Sequence, residues 1–408
     1  MQEVIFTLQT ITPMFLAGAE QKKVKVPPPR QPFRGWEAPS KMDDYSWQSR
    51  AELRVPSFRG LLRYWQRAVV GGLAKTNTER LKQGIEAETK VFGMTDKGSI
   101  VHIRVSMPSE GPADFTEKIS EKVDGQWRAT GKGYLLWSMS DSGRPREENW
   151  TARRINGEGR ETKYKPPRQY YDIGTSFSIT LSVRGQNDEG KKALKQATAA
   201  MWLLTQLGGV GSRSRRCAGS LAVTRIEGNT TNLSFVEAAN SVKLQNTLGQ
   251  GIQEIRGLWA TQLTKLGDAS VSTQLEDASF DILSFPDACR IWILQQDEGR
   301  PWDNAKDVMS TLGESLQSYR NSLSLRERTI FGLPLIIRGL QDRELKKELE
   351  ERRRASPLLL KVTKLQGEHY VGIAVLFKTN SEGVSMSDYA LIEKWVAQDF
   401  PKALQVAL

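Results

Sequence analysis

The stretch GGVGSRSRRCAGS, residues 208–220, separates a predicted helix from a predicted strand. The preceding residues 190–207 carry apolar side chains at helical spacing, and Gly208 stands where a C′ glycine ends a helix. Alternating apolar residues begin a strand at Leu221. Glycine lets backbone N–H groups approach an anion, and arginine grips phosphate with a bidentate fork. The pattern predicts a loop that holds a polyanionic backbone; a flexible surface turn is the alternative.

RNA is the polyanion that this Gly/Arg loop is expected to bind. The residues predicted to face it are Gly208, Gly209, Gly211, Ser212, Arg213, Ser214, Arg215 and Arg216. The loop follows a helix and precedes a strand, whereas a Walker loop or a dinucleotide fingerprint follows a strand and opens a helix. The order of elements therefore argues against nucleotide hydrolysis.

A second informative segment, residues 57–67, reads SFRGLLRYWQR. Ser57 is the predicted N-cap of a helix over residues 58–73, whose N-terminus offers free N–H groups and a positive dipole end to a phosphate. Three arginines one turn apart form a basic stripe: Arg59, Arg63 and Arg67. Gly60 costs about 1 kcal/mol of helix propensity, which a close approach by RNA or by a neighbouring element would explain. An amphipathic helix with a solvated arginine face is the alternative.

The order of predicted elements indicates the fold class. In the first half, strands are expected at 3–9, 100–107, 177–183 and from Leu221, with helices at 58–73 and 190–207. This β-α-β-β-α-β order is the ferredoxin-like arrangement. In the second half we expect helices at 235–266, 304–320 and 386–399, a strand at 290–294, a hairpin of 358–365 with 370–377, and an exposed helix at 340–355. We predict an α+β chain with a ferredoxin-like first domain, residues 1–230, and an α+β second domain, residues 231–408. A degenerate copy of the first domain is one interpretation of the second, but no clear sequence repeat supports it.

Two segments interrupt this regular pattern. Residues 108–172 form a long polar insertion in the first domain, in which residues 144–168 hold eight lysines and arginines against four acids. We expect this insertion to become ordered on a partner, with disorder as the alternative. The proline-rich stretch 26–40 is expected to lack regular structure.

The charge is distributed unevenly along the chain. The net charge is +11, but residues 1–226 carry +14 and the remainder carries −3. A one-sided basic balance is typical of a nucleic-acid partner, although a solvated basic surface would give the same total. No apolar run approaches the ~18 residues of a membrane span, and the N-terminus lacks the pattern of a secretory signal. We expect a cytoplasmic chain with two reduced cysteines and no membrane partner.

Catalysis finds little support in the residue pattern. The two histidines, His102 and His369, lie in unrelated contexts, and neither they nor the cysteines show metal-ligand spacing. We predict no catalytic residue, no metal and no cofactor. Exposed aromatic side chains would serve a binding protein instead by stacking on unpaired bases, the candidates being Trp36, Trp47 and Tyr64.

Several motifs resemble a known family. Residues 8–19, LQTITPMFLAGA, resemble its opening TPLFLGGA strand, and residues 52–65, ELRVPSFRGLLRYW, resemble its ELRPPSIRGLLRWW motif. Residues 86–93, 330–334 and 353–358 (RRASPL) fit its later motifs, and the Gly/Arg loop resembles its glycine-rich loop. The family is the RAMP superfamily of CRISPR-associated proteins, and within it the first subunits of the Cmr (type III-B) effector.

The resemblance implies a non-catalytic RNA-binding subunit with two ferredoxin-like domains. It implies a position near the 3′ end of the guide RNA, contact with guide and target RNA, and other RAMP subunits as neighbours. The RNA-facing residues carried over are Arg54, Arg59, Arg63 and the loop from Gly208 to Gly219; Cys217 stands where the family pattern has glycine. Two alternatives stay open: an endoribonuclease that trims guide precursors, and a scaffold whose basic half contacts protein neighbours.

Overall fold

A computed structural model describes most of the chain, and its described residues combine helices with antiparallel strands. These residues are 2–25, 45–74, 76–123, 126–140, 166–185, 187–229, 231–263, 279–283, 288–333, 349, 353–380 and 383–408. The mixed helix-and-strand class predicted from the sequence is confirmed. The proline-rich stretch, most of the basic run 144–168 and most of the predicted helix 340–355 lie outside the described residues.

Fourteen strands are present in the described part of the chain. They are β1 Gln2–Thr10, β2 Gln21–Lys25, β3 Tyr45–Ser49, β4 Val101–Val105, β5 Ala113–Asp114, β6 Ser120–Val123, β7 Gln126–Ala129, β8 Gln169–Tyr170, β9 Ser176–Val183, β10 Leu221–Glu227, β11 Cys289–Leu294, β12 Leu358–Leu365, β13 His369–Phe377 and β14 Leu404–Gln405.

The described helices connect these strands. They are α1 Val55–Gly71, α2 Asn77–Phe92, α3 Gly131–Leu136, α4 Asp188–Leu207, α5 Ser241–Leu263, α6 Ala305–Ser322, α7 Leu325–Arg328 and α8 Ala390–Asp399, with 3₁₀ turns at Thr329–Phe331 and Met386–Tyr389.

Two four-stranded antiparallel sheets share one strand order. The first sheet runs β10-β1-β9-β4, and the second runs β12-β13-β11-β14. If each sheet's strands are numbered along the chain, both orders are 4-1-3-2, read from opposite edges. In each sheet, helices connect the first strand to the second and the third to the fourth. The two halves therefore repeat a topology without a readable sequence repeat.

A layer of helices fills the space between the sheets. One hydrophobic core joins the inner face of the first sheet to α1, α4, α5 and one face of the second sheet. The rings of Trp65 on α1 and Phe377 on β13 lie 6.3 Å apart across it. The other face of the second sheet packs against α3, α6 and α8 in a second core. Because α4 has neighbours on both sides, it is buried nearly all round, as expected of a central helix.

The start of α1 differs from the sequence prediction. The helix begins at Val55 with Arg54 as its N-cap residue, so the prediction of Ser57 as N-cap is wrong. Ser57 already lies in the first turn and donates its N–H to the Arg54 carbonyl at 3.1 Å. The reason is Pro56, whose fixed φ and missing N–H suit the first helical turn.

Helix α2 was not predicted at all. Its N-terminus carries a capping box in which Thr76 and Glu79 bond each other's backbone N–H groups. That pair was a readable start signal, but the apolar pattern that follows is weak. The helix packs against α1, which changes the surroundings of the predicted arginine stripe.

The described part of the insertion packs on the second half of the chain. Residues 113–140 contain three strands and α3, and α3 packs tightly on α6. A Cβ on Gly131 would lie 1.9 Å from the Ser310 carbonyl oxygen, and one on Gly313 would lie 1.8 Å from that of Gly131. The backbones of the two helices therefore touch directly; the expectation that the insertion becomes ordered on a partner stays a prediction.

Candidate nucleic-acid interface

The N-terminal end of α1 keeps its positive partial charge. No side chain caps it, and its first turn contains no acidic residue. Arg54 stands at the N-cap, half-exposed, with a long contact of 3.9 Å to Glu52. The positive end of the helix dipole favours an anion here.

Gly60 faces open space at this end of the helix. It is exposed, and a Cβ built on it would meet no atom within 4 Å. A neighbouring element of the described chain therefore does not explain the glycine, so that half of the expectation is wrong. Close approach by a ligand stays a prediction.

The three arginines of the α1 stripe differ in their contacts: two bond α2, and the third has no described partner. Arg63 donates from Nη2 to the carbonyls of Phe92 (3.3 Å) and Gly93 at the end of α2. Arg67 pairs with Glu88 at 3.4 Å. Arg59 forms no salt bridge with any described residue, and its buried Nε has no hydrogen-bond partner there. Arg63 is thus bonded to the end of α2 and Arg67 to Glu88 of the same helix, so Arg59 is the one arginine of the predicted stripe without a described partner.

The Gly/Arg loop is packed into the protein and is not a flexible surface turn. Gly208 ends α4 in an extended conformation (φ −105°), not in the left-handed one predicted for a C′ glycine. Gly208 and Gly209 are buried, and a Cβ on either would lie 2.7–2.8 Å from a neighbouring atom. Gly211 has φ +91°, and its Cβ would fall 2.1 Å from the Phe15 carbonyl oxygen. The same oxygen accepts the exposed Ser212 N–H at 2.8 Å.

The loop also extends the second sheet. Cys217 donates its N–H to the Leu360 carbonyl on β12 at 2.9 Å, and Leu360 donates to the Arg215 carbonyl at 3.2 Å. Cys217 adopts φ +67°, the left-handed region in which the family's glycine would fit without strain. Ser214 sits beside Gly209, half-buried.

The three loop arginines bind carbonyl groups of the protein itself. Arg213 donates from Nε to the Leu135 carbonyl in α3 at 2.7 Å. Arg215 donates from Nη1 to the Ser356 carbonyl at 2.7 Å. Arg216 donates from Nη2 to the Phe331 carbonyl at 3.0 Å. These side chains join the insertion and the second half of the chain to the loop.

Burial lowers the pKa values of two of these arginines. Burial lowers the pKa of Arg213, and nearby Arg320 lowers it further. Burial lowers the pKa of Arg216 to about 9, which leaves the guanidinium charged at neutral pH. Both guanidinium groups are removed from water, and their hydrogen bonds to carbonyl oxygens stabilise the charge without a counter-ion.

A cleft of about 430 Å³ opens where α1, α2, the loop and residues 354–357 meet. Its described lining contains one carboxylate, Asp281, and four arginines: Arg67, Arg80, Arg215 and Arg354. Asp281 is engaged by Arg215 and by the Tyr64 hydroxyl, which donates at 2.8 Å. Burial, and then Asp281, raise the pKa of Tyr64 well above its usual value. The excess of guanidinium groups makes the cleft attractive to anions.

Sequence reasoning missed Arg80 and Arg354 as partners in one site. Arg354 belongs to the RRASPL motif, which indicated the family resemblance but not where in the fold this arginine lies. Arg80 lies in the unpredicted helix α2, so no signal pointed to it. Only the packing of distant segments brings these side chains together.

The predicted stacking aromatics differ in availability. Trp47 on β3 is 58% exposed, and the Lys23 ammonium lies 5.7 Å from its ring centroid. The Tyr64 hydroxyl is hydrogen-bonded to Asp281, and the Arg215 guanidinium lies 5.8 Å from the centroid of the Tyr64 ring. Trp36 lies outside the described residues.

The histidines stand apart from this surface. His102 is exposed on β4 of the first sheet, opposite Ser182. His369 opens β13 of the second sheet, with Nδ1 3.5 Å from an Asp303 oxygen. Among the described residues, no group of three or more histidine, cysteine or acidic side chains could hold a metal ion.

The fold and the glycine-rich loop define a superfamily. A sequence model of the RAMP superfamily matches residues 7–222, slightly more than half of the chain, and the chain belongs to that superfamily. The resemblance seen in the sequence is thereby confirmed. CRISPR system Cmr subunit Cmr1-1 of Pyrococcus furiosus is 27% identical over 331 residues, 80% of this chain and 81% of that protein. Cmr subunit Cmr1-2 of the same organism is 30% identical over 225 residues, 55% of this chain and 96% of that protein.

Solved structures share the fold. The crystal structure of Cmr1 from Pyrococcus furiosus in its apo form aligns with a TM-score of 0.58 at 21% identity, covering 100% of this chain and 99% of that one. A chain of the cryo-EM structure of the Type III-B Cmr-beta bound to cognate target RNA aligns with a TM-score of 0.50 at 11% identity, covering 97% and 99%. No helix within the described ranges has the length and apolarity to cross a membrane.

Proposed function

We propose that this chain is a non-catalytic RNA-binding subunit of a type III-B CRISPR ribonucleoprotein effector. In this role it holds the 3′-end region of the guide RNA and the paired target RNA, beside other RAMP subunits. The names of its relatives, Cmr subunits, and of the RNA-bound complex that shares its fold support the proposal. The observation that carries it is the acid-free N-terminal end of α1, which no side chain caps, where Arg54 is the N-cap residue and Gly60 faces open space in the following turn.

The arginine-lined cleft extends this basic surface along α1. Arg67 lies twelve residues after Val55 on the same helix, which is roughly 18 Å at 1.5 Å per residue. A strand laid along α1 would meet the positive end of the helix dipole first and the cleft arginines next. Ser57 and Gly60 admit the backbone, while the inward-facing Arg213, Arg215 and Arg216 hold the surface in shape.

The mechanism is positioning by charge. Contacts to phosphate fix the register of an RNA and carry no sequence information. Sequence choice is left to pairing between guide and target. Neutralised phosphates release counter-ions, so affinity falls with rising salt.

The architecture and setting complete the proposal. The shared 4-1-3-2 strand order supports two ferredoxin-like domains, residues 1–230 and 231–408, the second degenerate in sequence only. The insertion 108–172 belongs to the first domain by chain position, and its helix α3 packs on α6 of the second. We place the protein in the cytoplasm, without cofactor or membrane partner.

Binding and cleavage of a labelled single-stranded RNA by the purified chain test this function. Arg59→Glu should weaken binding severalfold, with a shallower dependence on salt. Lys306→Glu makes the same charge change at an exposed position of α6 and should bind as the wild type does. RNA cleavage that survives repeated purification and is lost on replacing His102 or His369 would favour the endoribonuclease. No RNA binding by the isolated chain or by the assembled complex would favour the protein scaffold.

A further inference from the structure

We propose that Trp47 and Lys23, on the β2–β3 hairpin, form a stacking platform for one unpaired nucleobase of the bound RNA. This inference rests on the proposed function and adds the chemistry by which a base, and not only the phosphate backbone, is held. The two residues are direct cross-strand partners, and the Lys23 ammonium lies 5.7 Å from the centroid of the indole ring.

The hairpin is anchored from its opposite face. Gln48, 3% exposed, donates from Nε2 to an Asp114 carboxylate oxygen and to the Pro167 carbonyl, both at 2.8 Å. Successive residues of a strand point to opposite faces, so the inward anchor at Gln48 turns Trp47 outward. The indole therefore faces solvent in a fixed orientation before any ligand binds, which lowers the entropy cost of binding.

The charge around the indole favours a nucleic acid over a protein groove. Strand β2 reads QKKVK, with three lysines and no acid, and Lys22 and Lys23 are both exposed. Trp47 stays 58% exposed although a lysine packs over its ring. An aromatic face beside cationic side chains matches a base with its attached phosphate, the combination used by proteins that bind single strands.

The platform is close to the proposed backbone site. Arg54 follows Trp47 by seven positions, so the two lie at most about 25 Å apart along a fully extended chain. Between the hairpin and α1, Gly18 donates its N–H to the Arg50 carbonyl at 2.6 Å, which fixes the path of this connection. One RNA strand can reach both places, with its phosphates at the start of α1 and a base on the indole.

The test compares two RNA oligomers of equal length by fluorescence anisotropy: oligoadenylate and a matched oligomer lacking every base. Trp47→Ala should weaken oligoadenylate binding about 5- to 150-fold, the range of one base–aromatic stack. It should leave binding of the abasic oligomer unchanged. Trp47→Phe should keep most of the affinity, and Trp137→Ala, at the other strongly exposed tryptophan (54%) among the described residues, should have no effect.

The outcomes separate this inference from the proposed function. If Arg59→Glu weakens both oligomers while Trp47→Ala weakens neither, the chain binds RNA backbone and the stacking platform is overturned. If Trp47→Ala weakens both oligomers equally, the tryptophan acts without a base and the platform is again overturned. If Trp47→Ala leaves RNA binding intact but releases neighbouring subunits from the complex, the hairpin contacts protein. If the wild-type chain binds neither oligomer, the proposed function itself fails in the isolated protein.

Discussion

Replacing Lys361 by methionine is expected to stabilise the protein at neutral and acid pH. This β12 side chain is 1% exposed, and its Nζ donates to the Leu221 carbonyl at 3.2 Å, between the second sheet and the end of the Gly/Arg loop. Burial lowers the pKa of the Lys361 amine to about 7, with Cys217 acting weakly in the opposite direction. Below that pH the ammonium is charged in a site without water, which is costly.

The sign of the pH dependence follows from the two states. In the unfolded chain the lysine keeps a pKa near 10.4. Between about pH 7 and pH 10 the unfolded chain binds the extra proton, so the free energy of unfolding rises with pH across this window. The full cost of burying the charge is present below pH 7. At 1.36 kcal/mol per pKa unit, this lowering of the pKa corresponds to roughly 5 kcal/mol.

Methionine fills a similar volume without a charge, but it leaves the Leu221 carbonyl without this donor. An unpaired buried acceptor costs about 1–3 kcal/mol, so the net gain below pH 7 should be about 2–4 kcal/mol. Urea denaturation at pH 6 and pH 9 measures it: the gain should shrink at pH 9. Lys306→Met, at an exposed position, serves as control. A Lys361→Met protein that is less stable than wild type at pH 6, or whose gain is the same at both pH values, would refute this reasoning.

Three further changes test other parts of the structure. Gly211→Ala should lower the free energy of unfolding more than Gly174→Ala does, by a difference of at least about 2 kcal/mol. Both glycines have φ +91°, but only at Gly211 would a Cβ lie against a carbonyl oxygen. Equal losses of the two variants in chemical denaturation would contradict the close approach. Gly60→Ala should stabilise folding by about 1 kcal/mol yet weaken RNA binding; unchanged RNA affinity would move the backbone away from this turn. Arg63→Gln should cost about 1–3 kcal/mol by freeing the carbonyls that end α2, and a thermal melt unchanged from wild type would show that those bonds contribute little.

The main strands and helices of both halves could be predicted from the sequence because each carries a local apolar pattern. Alternating apolar residues marked β1 and β9, and helical spacing marked α4, since one face of each must meet a core. The exceptions are local too. Pro56 moved the start of α1 ahead of Ser57, and the apolar face of α2 was too weak to reveal a helix that its capping box marked.

The candidate site was predicted only in part. The basic N-terminal end of α1 lies within one continuous segment, so residue types and spacing were enough to suggest it, although Ser57 was wrongly predicted as its cap. The sequence predicted that the loop arginines are functional residues, but it did not indicate that their side chains point into the protein. Whether Arg216 reaches solvent or the Phe331 carbonyl depends on a segment 115 residues away, and no local pattern contains that distance.

By itself, the sequence determined the main strands and helices, the superfamily and the basic character of the first half, because these depend on neighbours along the chain. Tertiary structure alone decided which cations are buried. The second sheet packs on the helix layer of the first half. This contact buries the loop arginines and gathers Arg80, Arg215 and Arg354 around one cleft, whereas the Trp47–Lys23 pair stays at the surface. Burial is a property of surfaces that meet across the fold, and charge is expensive to bury without a partner. The fold therefore decides which arginines bond the protein's own carbonyls and which stay at the surface.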